Sequence, residues 1–265
     1  MEKEVFKVEV HLNEHCNLNC SCCDHFSPLA EEEWANFESV EKDLARLSKL
    51  VDNKANVYVY LLGGEPLLNE HVTEYMDLAR KYFPEKNHVV WLITNGILLP
   101  KMDEKFWEAC KRNDILIAPS RYKIKIDYEP IYEKCREYGV KFQYFHSDDW
   151  VETMFNVPLL LTREVDPKES FSKCYVASRC AFLKEGKIYS CPRVANIYHV
   201  NKKFNTNFEI ADTDWLDIYK ANSYEEIREF LKRPKDFCKH CDNNNKEVVK
   251  WRLSDKKLEE WASED

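Results

Sequence analysis

Cys16, Cys20 and Cys23 stand at i, i+4 and i+7 in the run Cys16-Asn17-Leu18-Asn19-Cys20-Ser21-Cys22-Cys23, directly after an apolar, strand-like stretch. Thiolates are soft ligands that suit zinc, copper(I) or iron–sulfur clusters. Three of them can hold a [4Fe-4S] cube with one iron left without a protein ligand, and an open iron is a place to bind a substrate. A zinc site is the alternative, although zinc ligands usually come as two C-x2-4-C pairs. Seven cysteines lie further on. Cys110 and Cys135 each follow an apolar residue of a helical period by four positions (Phe106, Ile131) and read as core thiols. Cys174, Cys180, Cys191, Cys238 and Cys241 gather towards the C-terminus, where the C-x2-C pair alone would suit a structural zinc held by four cysteines.

Composition narrows what those thiols can be. In 265 residues, eleven cysteines without an export signal at Met1-Glu2-Lys3-Glu4 point to a cytoplasmic chain whose thiols are metal ligands and buried side chains rather than disulfides. A net charge of −8 disfavours a nucleic-acid partner, and the longest apolar runs are far short of a membrane span. The five glycines contain neither G-x-G-x-x-G nor G-x-x-x-x-G-K-[ST], so a dinucleotide fingerprint and a P-loop are both absent.

The elements that must position the thiols alternate regularly over the first half of the chain. Residues 5–12 read as a strand, and Phe37, Val40, Leu44, Leu47 and Val51 as the apolar stripe of a helix over 36–51. Strands follow at 56–62, 88–94, 114–119 and 140–146, with helices from Val72 and over 103–112 and 129–138, the last closed by Gly139. Such alternation predicts a parallel sheet with helices packed outside it. In that architecture the loops at the C-terminal strand ends share one rim. The cysteine loop, Gly63-Gly64-Glu65-Pro66, Thr94-Asn95-Gly96 and Ser120 would therefore meet there. From 147 the alternation fails, and a boundary is expected near 165. Beyond it we read a hairpin turning at Glu185-Gly186, a helix over 222–231 and a charged helix over 246–263. This gives a barrel over 1–165, a small second domain over 166–245 and a C-terminal helix over 246–265.

Cys16-x3-Cys20-x2-Cys23, Gly63-Gly64-Glu65-Pro66 and Thr94-Asn95-Gly96, each after a successive strand, resemble the radical S-adenosylmethionine (SAM) superfamily over about residues 5–146. The resemblance implies an α/β partial (β/α)6 TIM-like barrel, with a [4Fe-4S] cluster on the three cysteines and SAM chelating its open iron. It places Gly63, Gly64, Glu65 and Pro66 around the methionine moiety, and makes Asn95 and Ser120 candidates for its carboxylate or ribose. Paired glycines permit close backbone approach to a ligand, and Glu65 could accept from an ammonium group. Cys22 departs from the pattern. It stands where the family usually has an aromatic residue against the adenine, and it could serve as a small hydrophobe there or compete as a ligand.

Cys174-x11-Gly186-x4-Cys191 with Cys238-x2-Cys241 resembles the shortened auxiliary-cluster module called twitch, as in 2-deoxy-scyllo-inosamine dehydrogenase-like and sulfatase-maturase-like enzymes. The resemblance implies a second [4Fe-4S] cluster, saturated by four thiolates and suited to electron transfer. Hydrogen abstraction by a 5′-deoxyadenosyl radical, loss of a proton and passage of an electron to that cluster would amount to dehydrogenation. A small polyol, sugar or nucleotide-linked sugar is the expected substrate, because the chain begins at the first strand without a leader-peptide-binding domain. A reductant such as flavodoxin or ferredoxin is implied as well. Cys180 is the spare thiol, a core side chain, an alternative ligand or an acid–base group, in that order; with Arg163 and Tyr122 it makes up the candidates for acid–base work, and His25, His146 and Arg193 could also line the rim. The alternatives are a peptide- or protein-modifying maturase and a non-catalytic, zinc-stabilised binding protein.

Overall fold

The computed structural model describes residues 3–177 and 179–264. Its first half is a run of βα units: β1 (Val5–His11), α1 (Phe37–Val51), β2 (Asn56–Leu62), α2 (Val72–Tyr82), β3 (Val89–Thr94), α3 (Glu104–Arg112), β4 (Ile115–Pro119), α4 (Glu129–Tyr138) and β5 (Lys141–Phe142). The second half contains β6 (Thr153–Asn156), β7 (Leu159–Leu160), α5 (Pro167–Lys173), β8 (Ala181–Lys184), β9 (Lys187–Tyr189), α6 (Pro192–Phe204), β10 (Trp215–Asp217), α7 (Tyr224–Leu231), β11 (Glu247–Lys250) and β12 (Ala262–Ser263).

Alternation along β1 explains how one sheet serves two purposes. Phe6, Val8 and Val10 enter the apolar core with Leu44, Leu47 and Val51 of α1. Lys7, Glu9 and His11 therefore point to the opposite face, because successive strand side chains alternate. Tyr58, Tyr60 and Leu62 occupy the equivalent positions on β2 beside them. Helices cover the apolar side, and the polar side faces the barrel interior.

The sheet has eight strands in the order β10-β9-β8-β1-β2-β3-β4-β5, parallel from β8 to β5. This is the mixed α/β, partial-barrel fold expected from the sequence. Two features differ from that expectation in detail. The sixth parallel strand is β8, which comes after the expected boundary and pairs with β1, and the sheet runs on through the hairpin to antiparallel β9 and β10. The second difference is at the C-terminus.

The charged helix expected over 246–263 is not formed. Instead β11 pairs antiparallel with β6, the chain continues extended, and β12 pairs with β7. Of Val248, Trp251 and Leu258, whose spacing suggested an apolar helix stripe, Val248 is 63% exposed in β11 while Trp251 and Leu258 are half-buried on separate stretches of chain, neither of them α-helical. The β-branched pair Val248-Val249 favours the strand it occupies. Conversely, α6 escaped sequence reading because Val194, Ala195, Asn196, Ile197, His199 and Val200 are all buried. A helix buried nearly all round carries no amphipathic stripe.

Candidate functional site

Gly63 and Gly64 let the β2 loop lie directly against the cysteine loop. Gly64 N–H donates to Asn13 O (2.9 Å) and Glu65 N–H to His15 O (3.0 Å). A Cβ at Gly64 would stand 1.9 Å from His15 O, and one at Gly63 would stand 2.3 Å from Asn13 O. The close approach expected of these glycines is thus made first to the chain's own backbone. Gly64→Ala is expected to displace residues 13–15 or unfold the chain. A loss of more than about 2 kcal/mol in urea unfolding, beyond the usual range for a surface change, is the result that checks it.

Glu65 is fully buried and ties three segments together. Its carboxylate accepts from Thr94 Oγ1 (2.6 Å), Asn95 N–H (2.7 Å) and Leu67 N–H (3.1 Å). Burial nevertheless lifts its carboxyl to about 7, because desolvation outweighs those three donors. Pro66 opens the short 3-10 turn that follows. These two residues act as braces behind the rim rather than on the cavity wall.

Cys16, Cys20 and Cys23 come together at a cavity of about 230 Å³, whose wall also includes His25, Gly63, Gly64, Asn95, Ser120 and Tyr122. Leu18 N–H points at Cys16 Sγ (3.4 Å), Asn95 Nδ2 lies 3.7 Å from the same sulfur, and Trp251 Nε1–H donates to Cys20 Sγ (3.2 Å). Burial pushes Cys20 and Cys23 up to about 12 and about 11, and the neighbouring thiols add to the effect. Without a cation these sulfurs are neutral thiols at pH 7. Iron would ionise them, and the N–H donors would then stabilise the thiolates. Among the described residues, no three His, Cys, Asp or Glu side chains close round a single metal ion. Three sulfurs on one cavity wall, with N–H groups aimed at Cys16 and Cys20, form a soft donor set that suits iron.

Cys22 takes a different direction. Its backbone is left-handed (φ 57°), its thiol lies 3.5 Å from Ser21 Oγ, and the charges acting on it are those of Glu260, Arg193 and Arg252 rather than the other three thiols. It is absent from the cavity wall, so the geometry does not support its expected place against a ligand.

In the second group, Cys191, Cys238 and Cys241 are all pushed up by burial, Cys241 to about 12, and each feels the charge of Cys174 as well. Ser170 Oγ of α5, the helix that ends before Cys174, donates to Cys241 O (2.7 Å), which sets the segment of Cys174 beside that of Cys238 and Cys241. Cys180 lies apart, beside Glu9. An ion pair between buried Arg193 and half-buried Asp24 joins the two cysteine segments: Arg193 Nε donates to Asp24 Oδ1 (2.6 Å), and Arg193 also donates to Val157 O (2.6 Å). Tyr175 OH donates to the same Asp24. Asp24 follows Cys23 and Arg193 lies two residues after Cys191, so this pair spans from one thiol set to the other. Arg193→Met would leave the half-buried Asp24 without its cation. Urea unfolding is expected to show a loss of about 1.5–3 kcal/mol, partly recovered in the Asp24→Asn/Arg193→Met double variant.

The remaining sequence candidates are placed as follows. Tyr122 is on the cavity wall, and Arg163 is engaged with Asp242 (2.8 Å). His146 packs on Phe145 with ring centroids 3.9 Å apart. His25 leads into a network that sequence reading missed. His11 Nε2 and His25 Nδ1 are 2.7 Å apart, His11 Nδ1 lies 3.2 Å from Glu14 Oε2, and Lys184 Nζ donates to Glu14 Oε1 (2.9 Å). Burial lowers both histidines, His25 to about 3, so the imidazoles are neutral at pH 7. Only the strand period at Lys7, Glu9 and His11 hinted at this inward face.

Glu9 lies 3.7 Å from His25, and burial raises its carboxyl to about 7 against the hydrogen bond from Cys180. The folded chain therefore holds this proton to about pH 7, while the unfolded chain gives it up near 4.5. Stability from this group is whole below pH 4.5 and is lost as pH rises through 7. Glu9→Gln is expected to remove that contribution, so that the urea stability of the variant gains on that of the unaltered chain as pH rises across 4.5–7; Glu65 acts in the same sense as Glu9 in both chains, and His11 and His25, lowered by burial, act in the opposite one.

A sequence model described as "Radical SAM superfamily" matches residues 10–142. Among curated proteins, GTP 3′,8-cyclase of Aliarcobacter butzleri (strain RM4018) is 32% identical over 107 residues, 40% of this chain and 32% of its own length. The GTP 3′,8-cyclase of Sulfurovum sp. (strain NBC37-1) is 28% identical over 102 residues, 38% and 30% of the two chains. The match thus spans about a third of those relatives. Among solved structures, BtrN in complex with AdoMet and 2-DOIA superposes with a TM-score of 0.53 at 18% identity, over 91% of this chain and 94% of that one. Native anSMEcpe with bound AdoMet gives 0.38 at 23% identity, over 53% and 43%. The likeness to BtrN is one of fold, and it extends over nearly all of both chains.

Proposed function

This chain belongs to the radical SAM superfamily, and from that premise we propose that it is an oxidoreductase that dehydrogenates a small polyol, sugar or nucleotide-linked sugar, using a second [4Fe-4S] cluster as electron acceptor. When bound, the first cluster and SAM supply a 5′-deoxyadenosyl radical that removes a hydrogen atom from a substrate carbon. Conversion of an alcohol to a ketone then requires loss of one further proton and one electron. A residue of the chain must take the proton, and the second cluster, where its thiolates hold one, would take the electron.

What supports this reading is that Cys174 is among the charges acting on Cys191, Cys238 and Cys241, that Ser170 Oγ ties α5 to Cys241 O, and that Asp24 and Arg193 link the segment of Cys23 to that of Cys191. Four thiolates leave no open iron, so such a cluster can take an electron but not a substrate. Cys16, Cys20 and Cys23 would hold the other cluster, and Gly63, Gly64, Asn95, Ser120 and Tyr122 would line the space beside it. For the proton, Glu9 is the best-placed acceptor: its carboxyl sits near 7 and it adjoins His25 on the cavity wall. Among the described residues no helix is long and apolar enough to cross a membrane. A low-potential carrier such as flavodoxin or ferredoxin is the partner this chemistry needs.

Anaerobic reconstitution tests the reading in two stages. About eight irons per chain and reductant-dependent SAM cleavage are expected; stoichiometric zinc with no SAM cleavage would indicate a metal-stabilised binding protein instead. Mass spectrometry of polyols, aminocyclitols and nucleotide sugars should then find a product lighter by two hydrogens. If only a peptide is modified, the chain is a maturase and the sugar reading falls.

A further inference from the structure

The C-terminal residues that form no helix lie as a strap across the first cysteine loop. Ser21 N–H donates to Arg252 O (3.0 Å) and Ser254 N–H to Asn19 O (2.8 Å), with Cys20 and Leu253 in antiparallel register between them. Trp261 Nε1–H donates to Cys23 O (3.1 Å). The strap is itself braced by Glu260, which accepts from Arg252 (2.9 Å) and from Asp255 N–H (2.8 Å). Two backbone hydrogen bonds and a bridge leave Trp251 little freedom. Its indole N–H reaches Cys20 Sγ at 3.2 Å, and its ring lies along Tyr122 with centroids 5.6 Å apart.

This donor differs from those on Cys16. Leu18 N–H belongs to the cysteine loop itself and would accompany any fold of that loop, whereas Trp251 is 231 residues away from Cys20. An indole N–H is a donor only, so its one polar function here is spent on the sulfur. An electron added to an iron–sulfur cluster raises the negative charge on its thiolates, and a fixed N–H donor stabilises the reduced form more than the oxidised one.

We propose that Trp251 is a positioning residue that sets the reduction potential of the cluster held by Cys16, Cys20 and Cys23, through its N–H to the Cys20 sulfur, and that the C-terminal strap exists to hold it there. The inference rests on the cluster reading above. It predicts that reduction of this cluster becomes about tenfold less favourable without the donor, which for a one-electron couple is about 59 mV.

The experiment is a potentiometric titration followed by electron paramagnetic resonance on reconstituted full-length protein, the first cluster being identified as the signal that SAM perturbs. Two variants are compared with the unaltered chain: Trp251→Phe, and replacement of Trp251 by 3-benzothienylalanine, which keeps the bicyclic shape and exchanges N–H for sulfur. A lower midpoint in the loaded variants, with the second signal unmoved, is the result expected. An unchanged midpoint in the benzothienylalanine protein overturns the proposal, and that protein decides the matter if Trp251→Phe fails to hold iron. Should the unaltered chain itself take up no iron–sulfur cluster, the cluster reading fails rather than the role of Trp251.

Discussion

Replacing Cys16, Cys20 or Cys23 by alanine is expected to lower iron from about eight to about four per chain and to abolish reductant-dependent cleavage of SAM. With two thiolates the cube loses the ligation that leaves one iron open, so the site for SAM is lost together with its electron source. Cys22→Ala is the matching control. Cys22 lies among Ser21, Glu260 and Arg252 and off the cavity wall, so its loss should leave both the iron and SAM cleavage in place. Iron assay and quantification of 5′-deoxyadenosine check both outcomes. Loss of SAM cleavage in Cys22→Ala, with Cys23→Ala active, would move the third ligand by one residue.

The second large effect concerns the other thiol set. Cys191→Ala and Cys241→Ala are also expected to lose about four irons, but to go on cleaving SAM while forming no oxidised product. The substrate radical would have no electron acceptor within the chain and would be quenched by one electron from the external reductant and one proton, so that 5′-deoxyadenosine is released without oxidised product. The discriminating measurement is the ratio of 5′-deoxyadenosine to oxidised substrate, which should rise without limit in these variants. A ratio unchanged from the unaltered chain would show that the second set is structural. Cys180→Ala should behave like the unaltered chain in iron content, since Cys180 lies beside Glu9 and apart from the other four.

Local patterns carried some of this a long way. The apolar stripe Leu44, Leu47 and Val51 and the alternation in β1 needed no distant partner, because a period of 3.6 or 2 is imposed by the backbone itself. The rim followed as well, since parallel strands deliver their loops to one end. The same reasoning failed at 246–263, where charged residues interrupt the pattern and strand pairing with Thr153–Asn156 decides the conformation. It failed at α6 for the opposite reason, a face buried all round.

By itself the sequence determined the βα alternation and which loops meet around Cys16, Cys20 and Cys23, for spacing and period are properties of adjacent residues. Only the tertiary structure decided that Gly64 packs on His15, that Asp24 and Arg193 join the two thiol sets across 169 residues, and that Trp251 comes to Cys20 across 231. Such contacts leave no local trace. A hydrogen bond or ion pair constrains two side chains and no period between them, so it exists only once the chain has folded round it.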